Sequence, residues 1–543
     1  MGISSQVTEL ANKRARRDDM EQSANGMGEP SWVDKSPTAL TDELGRLGEG
    51  DEDEKVDLDY HGRLLESSRH YKHDDDYKEL LTLHFELIAK GVLKQNRSLD
   101  GLCLPQSVLG RVRDVSEMTG IGALWAQRRR GLASTGGGEA TPVSRSFIQR
   151  EHKFGAHNYK PLPVVIARGK GCHVWDVDGK EYFDCLSGYS ALNQGHCHPR
   201  LVEAMRRQCH VLTLTSRAFY TDALGQYEEY VTNLFGYQRV LPMNTGVEAC
   251  DTAIKLARRW AYDVKMVPKN EAKVVFAENN FHGRSIAACS ASTDPECYEG
   301  FGPFLPNIVK VPYDNLTSLE KEISDPNCAA FMVEPIQGEA GVIVPSAGYI
   351  QKVRELCTKH KVLLIADEVQ TGLGRTGKML CCEHDGVRPD IVTLGKALSG
   401  GLYPISAVLA DDEVMLTIRP GQHGSTYGGN PLACQIAIEA LKVIGEEKLC
   451  ENAGRMGTIL MNGLRELPED KVKCARGKGL LCAIELDNAI DAWTMCLRLK
   501  DNGVLAKQTH EHIIRFAPPL VINEEQTHEV TKIIKQTVNS FKL

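Results

Sequence analysis

From Ser146 to the C-terminus, short apolar runs alternate with stretches of helical periodicity, and this alternation constrains the fold more than any other feature of the sequence. Lys273–Ala277, Ile308–Val311, Ala329–Val333, Val362–Ala366, Ile391–Leu394 and Ile405–Leu409 read as buried strands. Helical patterns lie between them, over Val247–Tyr262, Tyr349–Lys359 and Pro431–Ile444. A strand that is apolar on both sides needs a cover on each face, and helices crossing between parallel strands provide both. The expected fold class is therefore α/β: a large domain with a mostly parallel sheet and helices on both faces, then a smaller α/β unit after about Ile444. The expected boundaries are 1–145 for a disordered N-terminal extension, 146–195 for a segment packing with the small domain, 196–440 for the large domain and 441–543 for the small C-terminal domain.

The chain has 543 residues, 42% of them hydrophobic, enough for a large core and too many for one ordinary domain. A formal net charge of -8 argues against nucleic acid as a partner. The sequence holds no apolar run long enough to span a bilayer. The 17 cysteines are dispersed without CxxC pairs, as reduced intracellular thiols are. His196-Cys197-His198 is the one cluster that suggests a metal, but adjacent side chains point apart, so it reads as a polar turn and no metal is expected.

Residues 1–145 carry charge runs such as Asp51–Lys55 and His73–Asp76 and a Gly-rich stretch at Ser134–Gly138, with a short helix expected over Tyr77–Lys94. Lys13–Arg17 reads as a solvated basic run rather than a nuclear signal. Met1–Gln6 lacks the Ser or Thr that a myristoylation signal needs at its sixth position. Glu9, Asp18, Asp19 and Glu21 count against a mitochondrial transit peptide, so the expected compartment is the cytoplasm, with the mitochondrial matrix as the alternative.

In an open parallel sheet, ligands collect at the carboxyl ends of the strands, and three of those ends carry chemistry together. Asp367 closes the run Leu363–Ala366, where a buried carboxylate needs a cation such as a protonated pyridine nitrogen; alone, it would read as the cap of a turn. Lys396 follows Ile391–Gly395, where apolar neighbours lower an amine's pKa and make it a nucleophile toward an aldehyde; alone, it could equally be a snorkelling lysine. Thr245-Gly246-Val247 opens a long helix whose N-terminus suits a phosphate, although many glycine turns look alike. An anion seat, a partner for a pyridinium and an amine for an aldehyde are together what pyridoxal 5′-phosphate requires.

At these residues the sequence resembles the class-III, fold-type-I pyridoxal-phosphate aminotransferases, and most closely their ornithine-acting members. The resemblance runs from about Arg145 to Leu543 and rests on Gly155–Tyr159, Tyr189–His196, Glu334–Gly341, Ala366–Gln370 and Ser425–Pro431. It implies transfer of the δ-amino group of L-ornithine to 2-oxoglutarate, with Lys396 forming the internal Schiff base and shuttling the proton and Asp367 pairing with the pyridine nitrogen. Val369 and Phe281 would cover the two ring faces, Gln370 would bond the ring hydroxyl, and Gly246 and Val247 would give N–H groups to the phosphate. Ser425 and Thr426 resemble a loop that reaches the phosphate of the neighbouring subunit, which implies a homodimer with shared sites. Tyr159 and Arg284 resemble the pair that holds the α-carboxylate of ornithine, and Tyr189 the residue that favours ornithine. Arg515 resembles the arginine that binds the α-carboxylate of glutamate, with Glu339 as its removable counter-charge. His282 departs from the pattern, standing where ornithine-acting members carry tryptophan; it either alters a pocket wall or faces a partner group. The rival readings are another ω-aminotransferase, acting on acetylornithine, 4-aminobutyrate or lysine, and a catalytically idle scaffold.

Overall fold

A computed structural model describes residues 140–541, and the expected helix over Tyr77–Lys94 lies outside them. The described chain opens with the helix Pro142–Phe154, capped by the Thr141 hydroxyl with Pro142 at its first turn. Three short strands follow, β1 (Ile166–Lys170), β2 (His173–Asp176) and β3 (Glu181–Asp184), joined as an antiparallel meander.

The next strands build the sheet that carries the site: β4 (Arg239–Met243), β5 (Lys273–Ala277), β6 (Ile308–Val311), β7 (Cys328–Val333), β8 (Leu363–Asp367), β9 (Ile391–Leu394) and β10 (Ser406–Ala410). Their order is β4-β10-β9-β8-β7-β5-β6, with β5 through β9 paired in parallel and β10 antiparallel to both of its neighbours. The expected mostly parallel sheet is therefore present, with one reversed strand that apolar runs alone do not disclose. Pro242 sits in β4 at the sheet's edge, where its missing N–H is tolerated.

Side-chain alternation sorts the sheet into two covered faces. Val274, Phe276, Ala330, Met332 and Ile365 pack with the helix Gly246–Asp263. Val275, Ala277, Phe331, Val333 and Leu364 pack with the helices Leu316–Ile323 and Tyr349–His360. Emptying one of these positions, as in Phe331→Ala, costs about 3–5 kcal/mol.

The remaining strands are β11 (Val472–Lys478), β12 (Leu481–Leu486), β13 (Val504–Leu505), β14 (Lys507–Thr509) and β15 (Ile513–Phe516). β11, β12, β15 and β14 form an antiparallel sheet in that order, while β13 pairs in parallel with β3. Among the described residues no helix is long and apolar enough to cross a membrane.

Candidate active site

The carboxyl ends of β4, β7, β8 and β9 lie at one edge of the large sheet, and the glycines there show how closely they converge. A Cβ placed on Gly246, just after β4, would meet Val369 Cγ1 at 2.8 Å, and one placed on Gly395, just after β9, would meet the same methyl at 3.2 Å. Val369 follows the end of β8, so the missing side chain at Gly246 makes room for its methyl, and that at Gly395 spares it a tight contact.

Asp367 ends β8 with a side chain that is 4% exposed. Its Oδ1 accepts hydrogen bonds from the Thr393 hydroxyl and the Val369 N–H, both at 3.0 Å. Its Oδ2 lies 2.6 Å from Nδ1 of His282 and accepts a longer bond, 3.4 Å, from the Cys250 thiol. Burial alone would raise the Asp367 carboxyl, but the His282 hydrogen bond and charge outweigh it and hold the group below the ordinary carboxylate value. For His282, burial works toward a lower value, and the bond to Asp367 reverses it. His282 thus faces a partner group rather than a pocket wall. Cys250, His282 and Asp367 stand close enough to suggest a metal set. Burial, with the Asp367 charge adding, raises the Cys250 thiol well above its ordinary value and keeps it protonated, a poor start for a thiolate ligand.

Lys396 begins a short 3₁₀ turn, Lys396–Ser399, with φ at +43°, a backbone conformation that costs a non-glycine residue about 1 kcal/mol or more. Burial pushes its ammonium below the ordinary lysine value, against the opposing pull of Glu339, Asp367 and Glu334. An amine held this way is available as a nucleophile nearer neutral pH.

The helix Gly246–Asp263 starts at Thr245, whose hydroxyl accepts the Glu248 N–H while the Glu248 carboxylate accepts the Thr245 N–H. This capping box leaves the N–H groups of Gly246 and Val247 without an acceptor among the described residues. Ser425 accepts a 2.8 Å hydrogen bond from Asn244 of its own chain, beside that helix end, while Thr426 is exposed.

Arg515, in β15, meets Glu339 across 2.7 Å with side-chain exposures of 5% and 28%, and its guanidinium lies 5.2 Å from the centre of the Tyr189 ring. Burial would raise Glu339, but the charge and hydrogen bond of Arg515 lower it below its ordinary value. Tyr189 is itself raised by burial and sits at φ +60°. Arg284 lies over the Phe281 ring at 5.5 Å and donates to the Glu296 carbonyl at 3.2 Å. Tyr159 is 76% exposed.

These contacts bring Lys396, Asp367, Val369, Gly246, Val247, Gln370, Glu339, Arg515 and Tyr189 to one strand-end region. The residues fit pyridoxal phosphate, because the site supplies an amine, a buried anion and open helix N–H groups and also leaves the buried Oε1 of Gln370 without a donor among the described residues. Sequence reading missed Thr393, Cys250 and Glu334. Glu334 carried the same signal as Asp367, an acidic residue closing an apolar strand. His196 and His198, the suspected cluster, turn to separate carboxylates, Asp184 at 2.7 Å and Glu447 at 3.1 Å.

The family model for class-III aminotransferases matches residues 154–538. A Caenorhabditis elegans protein named "Probable ornithine aminotransferase, mitochondrial" is 62% identical over 413 residues, covering 76% of this chain and 98% of its own length. The crystal structure of the ornithine aminotransferase from Toxoplasma gondii ME49 superposes with a TM-score of 0.72 at 48% identity, covering 76% of this chain and 97% of that one. That of the acetylornithine aminotransferase from Elizabethkingia anophelis has a TM-score of 0.67 at 52% identity, covering 73% and 99%.

Proposed function

Because the chain belongs to the class-III aminotransferase family, whose cofactor is pyridoxal 5′-phosphate, we propose that it moves the δ-amino group of L-ornithine onto 2-oxoglutarate. The products are L-glutamate 5-semialdehyde and L-glutamate. The observation that carries the ornithine reading is the Glu339–Arg515 pair beside Tyr189 in the region of Lys396. When bound, the cofactor supplies an aldehyde for the amine and an aromatic ring that takes up the electron pair left when a proton leaves the substrate carbon.

In this reading the chain's own residues do the rest. Lys396 Nζ would hold the cofactor and, once displaced by substrate, would carry the proton from the carbon bearing the reacting amine to the cofactor's C4′ carbon. Asp367, kept ionised by His282, Thr393 and Val369, holds a proton on the pyridine nitrogen. Gly246 and Val247 direct N–H groups at the phosphate, Val369 and Phe281 cover the ring, and Gln370 bonds its hydroxyl. Tyr159 and Arg284 hold the α-carboxylate of ornithine, which turns the δ-amine inward, and Tyr189 fits the remaining chain. Glu339 covers Arg515 while ornithine is bound and swings off when the α-carboxylate of glutamate or 2-oxoglutarate takes its place. An Arg515 left bare would grip ornithine by its α-carboxylate and present the wrong amine.

Ser425 and Thr426 act across the twofold of a homodimer in this proposal, and the half-exposed Tyr427 beside them supports a covered surface there. The worm relative's name favours the mitochondrial alternative over the cytoplasm, and fractionation of cells expressing the full chain decides it.

The likeness to a protein named for acetylornithine gives the rival substrate a specific footing. Initial rates on ornithine, N-acetylornithine and 4-aminobutyrate separate the readings: ornithine is expected to be fastest, and a preference for either of the others overturns the proposal. Lys396→Ala is expected to abolish both turnover and the absorbance change on adding ornithine.

A further inference from the structure

The mechanism above leaves the buried acid Glu334 without work. Glu334 follows β7 and is 5% exposed, and its two oxygens serve two different segments. Oε1 accepts the Phe281 N–H at 2.9 Å, while Oε2 accepts the Gly338 N–H at 3.2 Å. Phe281 is the residue proposed to cover the ring, and Gly338 directly precedes Glu339.

Gly338 also leaves no room for a side chain of its own. A Cβ there would fall 1.4 Å from Oε1 of Gln370, so its backbone lies against the amide proposed to bond the ring hydroxyl. The Gly338 carbonyl in turn lies 3.4 Å from the Arg515 guanidinium and accepts from it. The Tyr313 hydroxyl donates to the carbonyls of Glu334 and Pro335 at 3.2 and 3.0 Å, fixing the backbone that carries the carboxylate. Burial pushes the Glu334 carboxyl up to about 7, against His282 and the two N–H groups, which lower it. A fold seeking stability alone would satisfy two such N–H groups more cheaply than with a buried acid.

We propose that Glu334 is a positioning residue for amine selection, a two-pronged acceptor that locks the ring-covering Phe281 segment and the Gly338–Glu339 turn into one register. It acts through those segments without touching substrate, and the inference rests on the proposed roles of Glu339 and Arg515. With the clamp intact, the Glu339 carboxylate returns to Arg515 after each glutamate departs. Without it the Gly338 turn drifts, Arg515 is covered less often, and ornithine enters α-carboxylate first.

Glu334→Gln keeps the shape but offers one acceptor oxygen, placing an NH₂ against the other N–H. The test follows the two products of ornithine in the holoenzyme, the 5-semialdehyde from δ-transfer and the 2-oxo acid from α-transfer. The visible circular dichroism of the bound cofactor and its dissociation constant are measured alongside, with Glu339→Gln run in parallel. Glu334→Gln is expected to raise the share of α-transfer about tenfold, the scale of one lost hydrogen bond to a charged group. It is also expected to weaken cofactor binding and alter its dichroism, which a purely structural carboxylate would not do at temperatures well below unfolding. Glu334→Asp, which keeps both acceptors, is expected to recover part of both effects and replaces the glutamine variant if that one fails to fold. A parental product ratio in Glu334→Gln beside a shifted ratio in Glu339→Gln overturns the proposal. If Glu339→Gln also leaves the ratio unchanged, the reading of the Glu339–Arg515 pair falls, and the cofactor constant then decides for Glu334: a parental value overturns its role as well.

Discussion

His282→Phe removes both ring nitrogens while keeping a similar outline, and leaves Asp367 as a buried carboxylate without its cation. The pair spans 2.6 Å with side-chain exposures of 1% and 4%, so solvent offers little relief. Taking one partner from a buried pair costs about 3–5 kcal/mol, and the Thr393 and Val369 hydrogen bonds that remain on Oδ1 place the expected loss in the apoprotein toward the lower end, at about 3 kcal/mol. The loss depends on pH in a defined way. Asp367 is depressed in the folded state, so its contribution is present above an unfolded value of about 4 and disappears as pH falls through the folded one. His282 is raised, so its contribution is complete below about 6.5 and is lost as pH rises through the folded value. The deficit of the variant is therefore widest between about pH 4 and 6.5 and narrows on either side. Holoprotein adds a second discriminating result. In the proposed function a pyridinium on Asp367 would replace the missing cation, so the loss measured with cofactor bound is expected to be smaller than without it. Urea unfolding of apo and holo forms across this pH range measures both. Equal stability of variant and parent at pH 5.5, or a deficit that is larger in the holo form, would refute the argument.

Arg515→Lys keeps the charge but loses the planar fork, and is expected to raise the KM for 2-oxoglutarate about 10–100-fold while changing the single-turnover rate with ornithine far less. Gly246→Ala would press a methyl against Val369 Cγ1 at 2.8 Å at the proposed phosphate seat, and is expected to weaken cofactor binding by tenfold or more in a fluorescence titration while the Tm of the apoprotein falls only slightly.

Much of this architecture could be read before any coordinates. Lys273–Ala277, Ile308–Val311 and Ile391–Leu394 are strands at the expected residues, and the helices expected over Val247–Tyr262, Tyr349–Lys359 and Pro431–Ile444 extend by a residue or two at most at either end. Those segments are apolar on both sides or strongly periodic, so local pattern and burial agree. The reversal of β10 was not legible, because direction within a sheet is set by the loops and leaves no trace in composition. At the site, Asp367, Lys396 and Gly246 were each modest signals near strand ends and pointed to a site only when read together. Thr393 and Cys250 did not, since a hydroxyl within a strand and a thiol on a helix face are ordinary core residues until a carboxylate is placed against them. His282 stood out only as a departure from its family, and its bond to Asp367, 85 positions away, is a product of the fold.

The reversed strand has a consequence for the lysine itself. β9 and β10 pair with Ala407 opposite Leu394, so the chain leaves the sheet at 394, turns through Lys396 and re-enters beside its own exit. The Lys396 amine, reactive in the proposed function, therefore rides on a return bend hooked at both feet into adjacent rungs, with the Ser406 hydroxyl tied to the Thr245 carbonyl at 2.7 Å as a further stay. A helix following that strand would have let the amine travel with any rocking of the outer layers. Anchored in this bend, the amine shares the frame of the sheet, which in the proposed function holds it within reach of the cofactor ring.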